Sequence, residues 1–352
     1  MDALPRLIAA LRAELDAHTV WGGTPLVALA DKGLAHHHVR LQGTGLLARI
    51  PKQSQLGLPP EASLMSQRVC FERAAPGGHA PTLHGVLPVS ARLPRGALLV
   101  EEIVGAPAVL PRDLDAIAAS LGAIHALPVP PPDRRAPLSA PTDPLCDLVD
   151  EIARQARHLL DARLPTIVTE SIERELGVLQ QPLRRIDRPP VHLISFDAHP
   201  GNFVVRPSGQ AVLVDLEKCR YGPAGLDLAH ATLYTSTTWD LASQATLDID
   251  QVRSFYAAWS RAVGPETATA ARTWHVPLRH AMWLWSLTWC CKWRALSHLP
   301  PQQSAAGEDW SRGHSDAALV AHVRDRVDHF LSPPAIALVL HELRALQTVF
   351  ER

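Results

Sequence analysis

Residues 191–230 read VHLISFDAHPGNFVVRPSGQAVLVDLEKCRYGPAGLDLAH. Val191 to Ile194 is a short apolar run, the pattern of a buried strand, and it ends just before Asp197. Asn202 to Arg206 and Ala211 to Asp215 flank Pro207-Ser208-Gly209-Gln210, whose composition is that of a hairpin turn. With four residues in the turn, Arg206 pairs with Ala211 and Asn202 lies opposite Asp215. Directly opposed residues have Cα atoms roughly 4.5–5.5 Å apart. A carboxylate and an amide oxygen then converge on one point, which suits Mg²⁺, a hard cation served by a few protein oxygens with water and phosphates. A turn one residue shorter shifts the register by one and removes that opposition. Asp197, five residues before Asn202 in a loop bent by Pro200 and Gly201, is placed to accept a hydroxyl proton during attack on a phosphoryl group.

Around this segment the chain divides into a β-rich first third and a helix-rich remainder. An amphipathic helix is predicted over Pro5 to His18, with Leu7, Ile8, Leu11 and Leu15 at helical spacing. Strands follow at Pro25 to Ala30, Val39 to Leu41 and Gly45 to Ile50, then a short helix at Gln67 to Ala75 and a strand at Ala97 to Val104. Gly105 and Pro107 break that strand, making Glu101 to Pro107 an inter-lobe hinge. A helix over Leu114 to Leu127 leads into a Pro-rich loop, and beyond it the only strands expected lie between Val191 and Asp215. This order predicts lobes over residues 1–104 and 105–352 with a ligand cleft between them.

The composition narrows the function class. The 352 residues carry 34 Lys+Arg against 35 Asp+Glu, a formal net charge of −1, which lacks the electrostatic footprint of a nucleic-acid binder. No apolar run is long enough to span a bilayer and no secretory signal is read at the N-terminus. Five cysteines without a CxxC pair favour a reducing, cytoplasmic setting, with Cys290 and Cys291 as small buried hydrophobes. His36-His37-His38 reads as exposed strand histidines rather than a metal tract. Met282, Trp285, Trp289 and Trp293 form one helical stripe, chiefly core, with an aromatic wall for a cationic acceptor as the sharper reading and Glu308, Asp309 and Trp310 beside it.

The run from Asp197 to Asn202 resembles the HxDxHPGN loop of the aminoglycoside phosphotransferases and choline/ethanolamine kinases. Asp215, Glu217, Tyr221, Gly225 and Asp227 stand at the offsets of the second signature of that family, DxExxxYxxxGxD. The resemblance implies a two-lobed, protein-kinase-like α+β fold and transfer of the γ-phosphoryl group of ATP to a hydroxyl on a small molecule, by a monomer or homodimer. It implies Asp197 as catalytic base, Asn202 and Asp215 as Mg²⁺ ligands with Glu217 a further contact, and Asp227 as an anchor for the helix that follows. The first third resembles the same family less closely. There Arg49 in LLARIPK implies the phosphate-contacting residue, Lys32 to His36, with Gly33, the nucleotide loop, and ALLVEEIVG, with Glu101 and Ile103, the strand whose backbone receives adenine.

The chain departs from this pattern in places. Ser195 stands where the family has the His of HxD, and Gln67 where a helix Glu pairs with the basic strand residue. The phosphate loop is sparse in glycine. These departures motivate a rival reading, a catalytically silent kinase-like nucleotide-binding or scaffold protein.

Overall fold

The computed structural model describes residues 3–30, 35–54, 56–241, 243–297 and 317–350. Helix α1 (Ala3–His18) opens the chain and lays Leu11 and Leu15, both fully buried, against an antiparallel sheet. That sheet is built from β1 (Leu26–Ala28), β2 (His36–Leu41), β3 (Leu46–Pro51), β4 (Leu83–Leu87) and β5 (Ala97–Glu101), in the order β1-β2-β3-β5-β4. Helix α2 (Pro60–Ala74) starts seven residues before the predicted Gln67, because Pro60 takes the first helical turn, where its missing N–H is no loss. β5 ends at Glu101 rather than Val104. β4 has no counterpart in the sequence reading, since His84 and Gly85 interrupt its apolar alternation.

The link between the lobes is close-fitting. A short strand β6 (Ala106–Pro107) pairs with β8 (Phe203–Val205), and β8 pairs in turn with β9 (Ala211–Leu213). A side chain on Gly105 would put its Cβ 2.3 Å from the carbonyl oxygen of Val205, so only glycine lets the two strands approach this closely. Glu101 at the end of β5 accepts from Arg206 at 2.6 Å, and Leu213 N donates to His79 O at 2.9 Å. Arg73 of α2 donates to the carbonyls of Arg134, Arg135 and Ala136, which pins the Pro-rich loop to the N-terminal lobe.

Helix α3 (Leu114–His125) lies against α8 (Ile249–Val263), and α4 (Pro144–Ala156) against α10 (His275–Leu296). Between them run α5 (Thr166–Val178), β7 (Val191–Ile194), β10 (Arg220–Pro223), α6 (Gly225–Thr232), α7 (Tyr234–Thr237) and α9 (Pro265–Ala271), with α11 (Ala317–Phe330) and α12 (Pro333–Phe350) closing the lobe. β10 lies outside the interval in which strands were expected, and it pairs antiparallel with β7, Tyr221 opposite Leu193. The largest hydrophobic cluster crosses the hinge: Leu64, Phe71, Leu98 and Val100 from one side are continuous with Leu121, Phe203, Trp259 and Leu346 from the other. Among the described residues no helix is long and apolar enough to cross a membrane.

Candidate active site

The site is built on the loop that leaves β7. Phe196 has φ +58°, a left-handed conformation unusual for a bulky residue, and the surroundings hold it there. Asp227, fully buried on α6, accepts the N–H of Ser195 at 2.7 Å on one oxygen and the N–H of Phe196 at 2.8 Å on the other. The Phe196 ring is clamped between the Arg220 guanidinium, 3.6 Å from its centroid, and the edge of Trp285 at 5.2 Å. Glu151 of α4 ties both jaws, accepting from Arg220 at 3.1 Å and from Trp285 Nε1 at 2.8 Å.

Asp227 therefore anchors the catalytic loop, where sequence reasoning gave it the following helix. Its third partner is His125 of α3, with Nε2 at 3.1 Å. Trp259 Nε1, which can only donate, lies 3.0 Å from His125 Nδ1, so Nδ1 accepts and Nε2 carries the hydrogen given to Asp227. An imidazole thus braces the loop from a helix, in place of the His missing from the loop at Ser195. Ser195 Oγ itself accepts the N–H of Asp197 at 3.0 Å.

The Asp197 carboxylate faces Lys218 Nζ at 3.0 Å and His230 Nδ1 at 4.0 Å. Burial opposes its ionisation, but the Lys218 ammonium, with His199 and His230 beside it, outweighs that cost and holds the group below its ordinary value. His230 is pushed down to about 4, chiefly by burial, so it is neutral at physiological pH.

Asn202 reaches the same loop by a different route from the one its spacing predicts. The observed register pairs Val205 with Ala211 and Phe203 with Leu213. Asn202 consequently stands beside Val214, whose N–H it accepts at 2.9 Å, and not opposite Asp215. The cause is the turn: Gly209 at φ +86° closes a loop of Pro207-Ser208-Gly209, with Arg206 N donating to Gln210 O at 2.9 Å. This is the shorter of the alternatives the sequence leaves open. Asn202 Nδ2 donates to Asp197 O at 2.8 Å, so the bond uses the amide nitrogen and not the amide oxygen.

Asp215 receives Arg49 NH2 at 2.8 Å, and Arg49 NH1 donates to Val214 O at 3.0 Å. Arg49 does not meet Gln67 directly. His36 stands between them, its Nδ1 3.3 Å from Arg49 NH2 and its Nε2 2.9 Å from Gln67 Oε1. His36 is buried, which corrects the expectation of an exposed histidine there; its role in this relay replaces a direct helix–strand ion pair. Burial opposes the ionisation of Asp215, and Arg49 with His36 more than compensates, holding it well below the usual carboxylate range. Glu217 goes the other way: burial and the neighbouring Asp215 charge push it up to about 8.

Ligand atoms of His36, Asp215 and Glu217 lie within 4.8 Å of one another, and Glu217 Oε1 is buried without a hydrogen-bond partner. An orphaned carboxylate oxygen beside an ionised Asp215 supplies oxygen donors of the kind that fit a hard divalent cation.

The remaining predicted residues are distributed as follows. Glu101 uses its carboxylate on Arg206 and on the N–H of Thr82 at 3.2 Å. Ile103 sits half-buried in the link after β5, next to Glu102, whose N–H goes to Gly45 O. Gly33 and the other residues at 31–34, and Glu308, Asp309 and Trp310, lie outside the described residues. Met282, Trp285 and Trp293 are buried core with Cys290 and Cys291, while half-buried Trp289 meets Trp239 edge-on at 5.8 Å. Lys218, His230 and His125, the partner of Asp227, are the site residues that spacing did not single out.

Comparison with known proteins agrees with this architecture. The profile of the phosphotransferase enzyme family (APH) matches residues 92–271, just over half of the chain. A choline/ethanolamine kinase family protein from Mesorhizobium loti superposes with a TM-score of 0.60 at 18% identity, over 96% of this chain and 99% of that one. Choline kinase LicA from Streptococcus pneumoniae gives 0.56 at 12% identity, over 92% and 98%. An aminoglycoside-3'-phosphotransferase of type VIII gives 0.50 at 20% identity, over 80% and 99%. No curated protein matches the sequence significantly. The fold is thus that of the kinase-like aminoglycoside phosphotransferases and choline kinases, as the Asp197 and Asp215 signatures imply, and by its profile match the chain belongs to the phosphotransferase enzyme family.

Proposed function

We propose that the protein transfers the γ-phosphoryl group of ATP to a hydroxyl of a small molecule, an amino alcohol, an aminoglycoside or a related metabolite, in the cytoplasm. The observation that carries this reading is the juxtaposition around Asp197: a half-buried carboxylate whose backbone carbonyl fixes Asn202, and whose counter-ion Lys218 also feels the charge of Asp215.

Asp197 accepts the acceptor's hydroxyl proton as its oxygen attacks phosphorus. Arg49, buried and held by Val214 O, sits where it can turn from Asp215 to the non-transferred phosphates. Mg²⁺ held by Asn202, Asp215 and Glu217 would offset phosphate charge. The clamp on Phe196 and the Asp227 bonds keep the loop in one geometry, so catalysis rests on positioning and preset electrostatics without a covalent intermediate. Residues 1–104 would carry the nucleotide and residues 105–352 the catalytic and acceptor groups, with Ile103 and its neighbours meeting the base. A nucleotide site is supported by the S. pneumoniae choline kinase, which has been seen in complex with AMP.

The silent-scaffold reading draws on Ser195 and Gln67. Its force is reduced by His125 and His36, which supply an imidazole at each of the two places where the expected side chain is missing.

Mg²⁺-dependent ADP release from ATP, measured across a panel of amino alcohols, aminoglycosides and sugar alcohols with Asp197→Ala alongside, tests the proposal. Acceptor-stimulated release that is lost in the variant is the expected result. Nucleotide binding unchanged by Asp197→Ala, with no turnover on any acceptor, would favour the scaffold.

A further inference from the structure

The two oxygens of Asp197 stand in different surroundings. Oδ2 is held by Lys218 Nζ at 3.0 Å, while Oδ1 faces His230 Nδ1 at 4.0 Å, too far for a hydrogen bond. His230 is only 8% exposed, and its Nδ1 is buried with no hydrogen-bond partner. A buried polar atom left unpaired is destabilising, and where a native structure keeps one next to a reactive group, a ligand atom is a natural partner. The placement is also firmly set. His230 follows Asp227 by one helical turn on α6, so the helix that fixes the catalytic loop also presents the imidazole to it.

Resting on the phosphotransferase reading of Asp197, we infer that the reacting oxygen of the acceptor is held between Asp197 Oδ1 and His230 Nδ1. It donates its hydrogen to the carboxylate and accepts the imidazole N–H. Hydrogen bonds of about 2.8 Å to both atoms meet at an angle of about 90°, and an oxygen bonded this way keeps a lone pair for attack on phosphorus. Lys218 is engaged with the opposite carboxylate oxygen, Oδ2. The arrangement selects a hydroxyl acceptor over an amine: an ammonium group has only donors and cannot receive the imidazole hydrogen. His230 is thus an acceptor-binding residue, and Oδ1 is the atom of Asp197 that takes the proton.

A crystal structure of the protein grown without alcohols, so that water is the only hydroxyl present, tests the slot directly. An ordered water within about 3.2 Å of both atoms is expected. An empty gap, or His230 Nδ1 bonded to a protein atom, overturns the inference. In solution, intrinsic ADP release from Mg·ATP with water as acceptor is compared among wild type, His230→Ala and His230→Asn, whose amide nitrogen can stand near the Nδ1 position. The expected pattern is at least a tenfold fall in kcat for His230→Ala, recovery of most of it in His230→Asn, and an unchanged Kd for Mg·ATP in both. Equal kcat in all three overturns it. Failure of the wild type to bind Mg·ATP would instead sink the phosphotransferase reading, and the bridging water alone would then decide whether the slot exists.

Discussion

His125 Nε2 meets the Asp227 carboxylate at 3.1 Å with neither side chain exposed, although 102 residues separate them in the chain. The contact joins α3 to α6, and through Asp227 it reaches the two N–H groups that hold Ser195 and Phe196. A single buried carboxylate therefore answers two backbone N–H groups and an imidazole at short range, with Ser195 Oγ at 3.5 Å, at the base of the Asp197 loop.

Asp227→Ala leaves those donors unpaired in a dry site, and a destabilisation of about 3–5 kcal/mol is expected in urea unfolding. Asp227→Asn keeps one acceptor oxygen and places an NH₂ group against the remaining donors, so it is expected to retain fold better than activity. Equal stability of Asp227→Ala and wild type would remove Asp227 from its anchoring role.

Inserting one residue into Pro207-Ser208-Gly209 lengthens the turn toward the register in which Asn202 opposes Asp215. Because a one-residue slip moves side chains to the other face of a strand, the insertion is expected to cost at least 100-fold in kcat while far-ultraviolet circular dichroism stays near wild type. Gly209→Ala, at φ +86°, is expected to cost about 1–2 kcal/mol and little activity.

Arg49→Lys keeps the charge but loses the fork that reaches Val214 O, Asp215 and His36 together. The KM for ATP is expected to rise about tenfold, with a smaller change in kcat. A KM within twofold of wild type would show that Arg49 does not engage the phosphates.

Acid stability follows from histidines kept neutral by burial. His192 and His275 are each pushed down to about 4, His192 by burial and the nearby His125, His275 by burial and Arg272. In the unfolded chain both titrate near 6.5. Their folded pKa values are depressed, so the unfolded state binds more protons below pH 6.5 and stability falls as pH falls from about 6.5 toward 4. The loss at pH 5 is of order 2 kcal/mol for each. Urea midpoints measured from pH 7 to pH 5 should decline, and His275→Gln should flatten the decline; a constant midpoint would contradict the assignment.

Much of this architecture is legible in residues 191–230, since Asp197, Asn202 and Asp215 lie close together in the chain and the signatures fix their identities. The register was not legible, because turn composition admits either loop length and only the backbone at Gly209 decides. The start of α2 is hidden at Pro60, which reads locally as a break although it opens the helix. β4 was missed because its apolar residues are interrupted, its pairing with β5 being set by tertiary contacts. The His125–Asp227 brace and the His36 relay join residues distant in sequence, and a lone buried histidine carries no local pattern that distinguishes it from an exposed one.

The hydrophobic cluster that runs through the hinge has a consequence for how such a protein diversifies. Leu98 and Val100 share one apolar interior with Phe203 and Trp259, so the two halves meet through a common core in addition to the clusters each keeps for itself. A chimera that joins residues 1–104 to the C-terminal part of a relative would meet a mismatched seam of side chains at that shared core. Sequence change is therefore more easily absorbed by outer helices away from the seam than by exchange of whole halves.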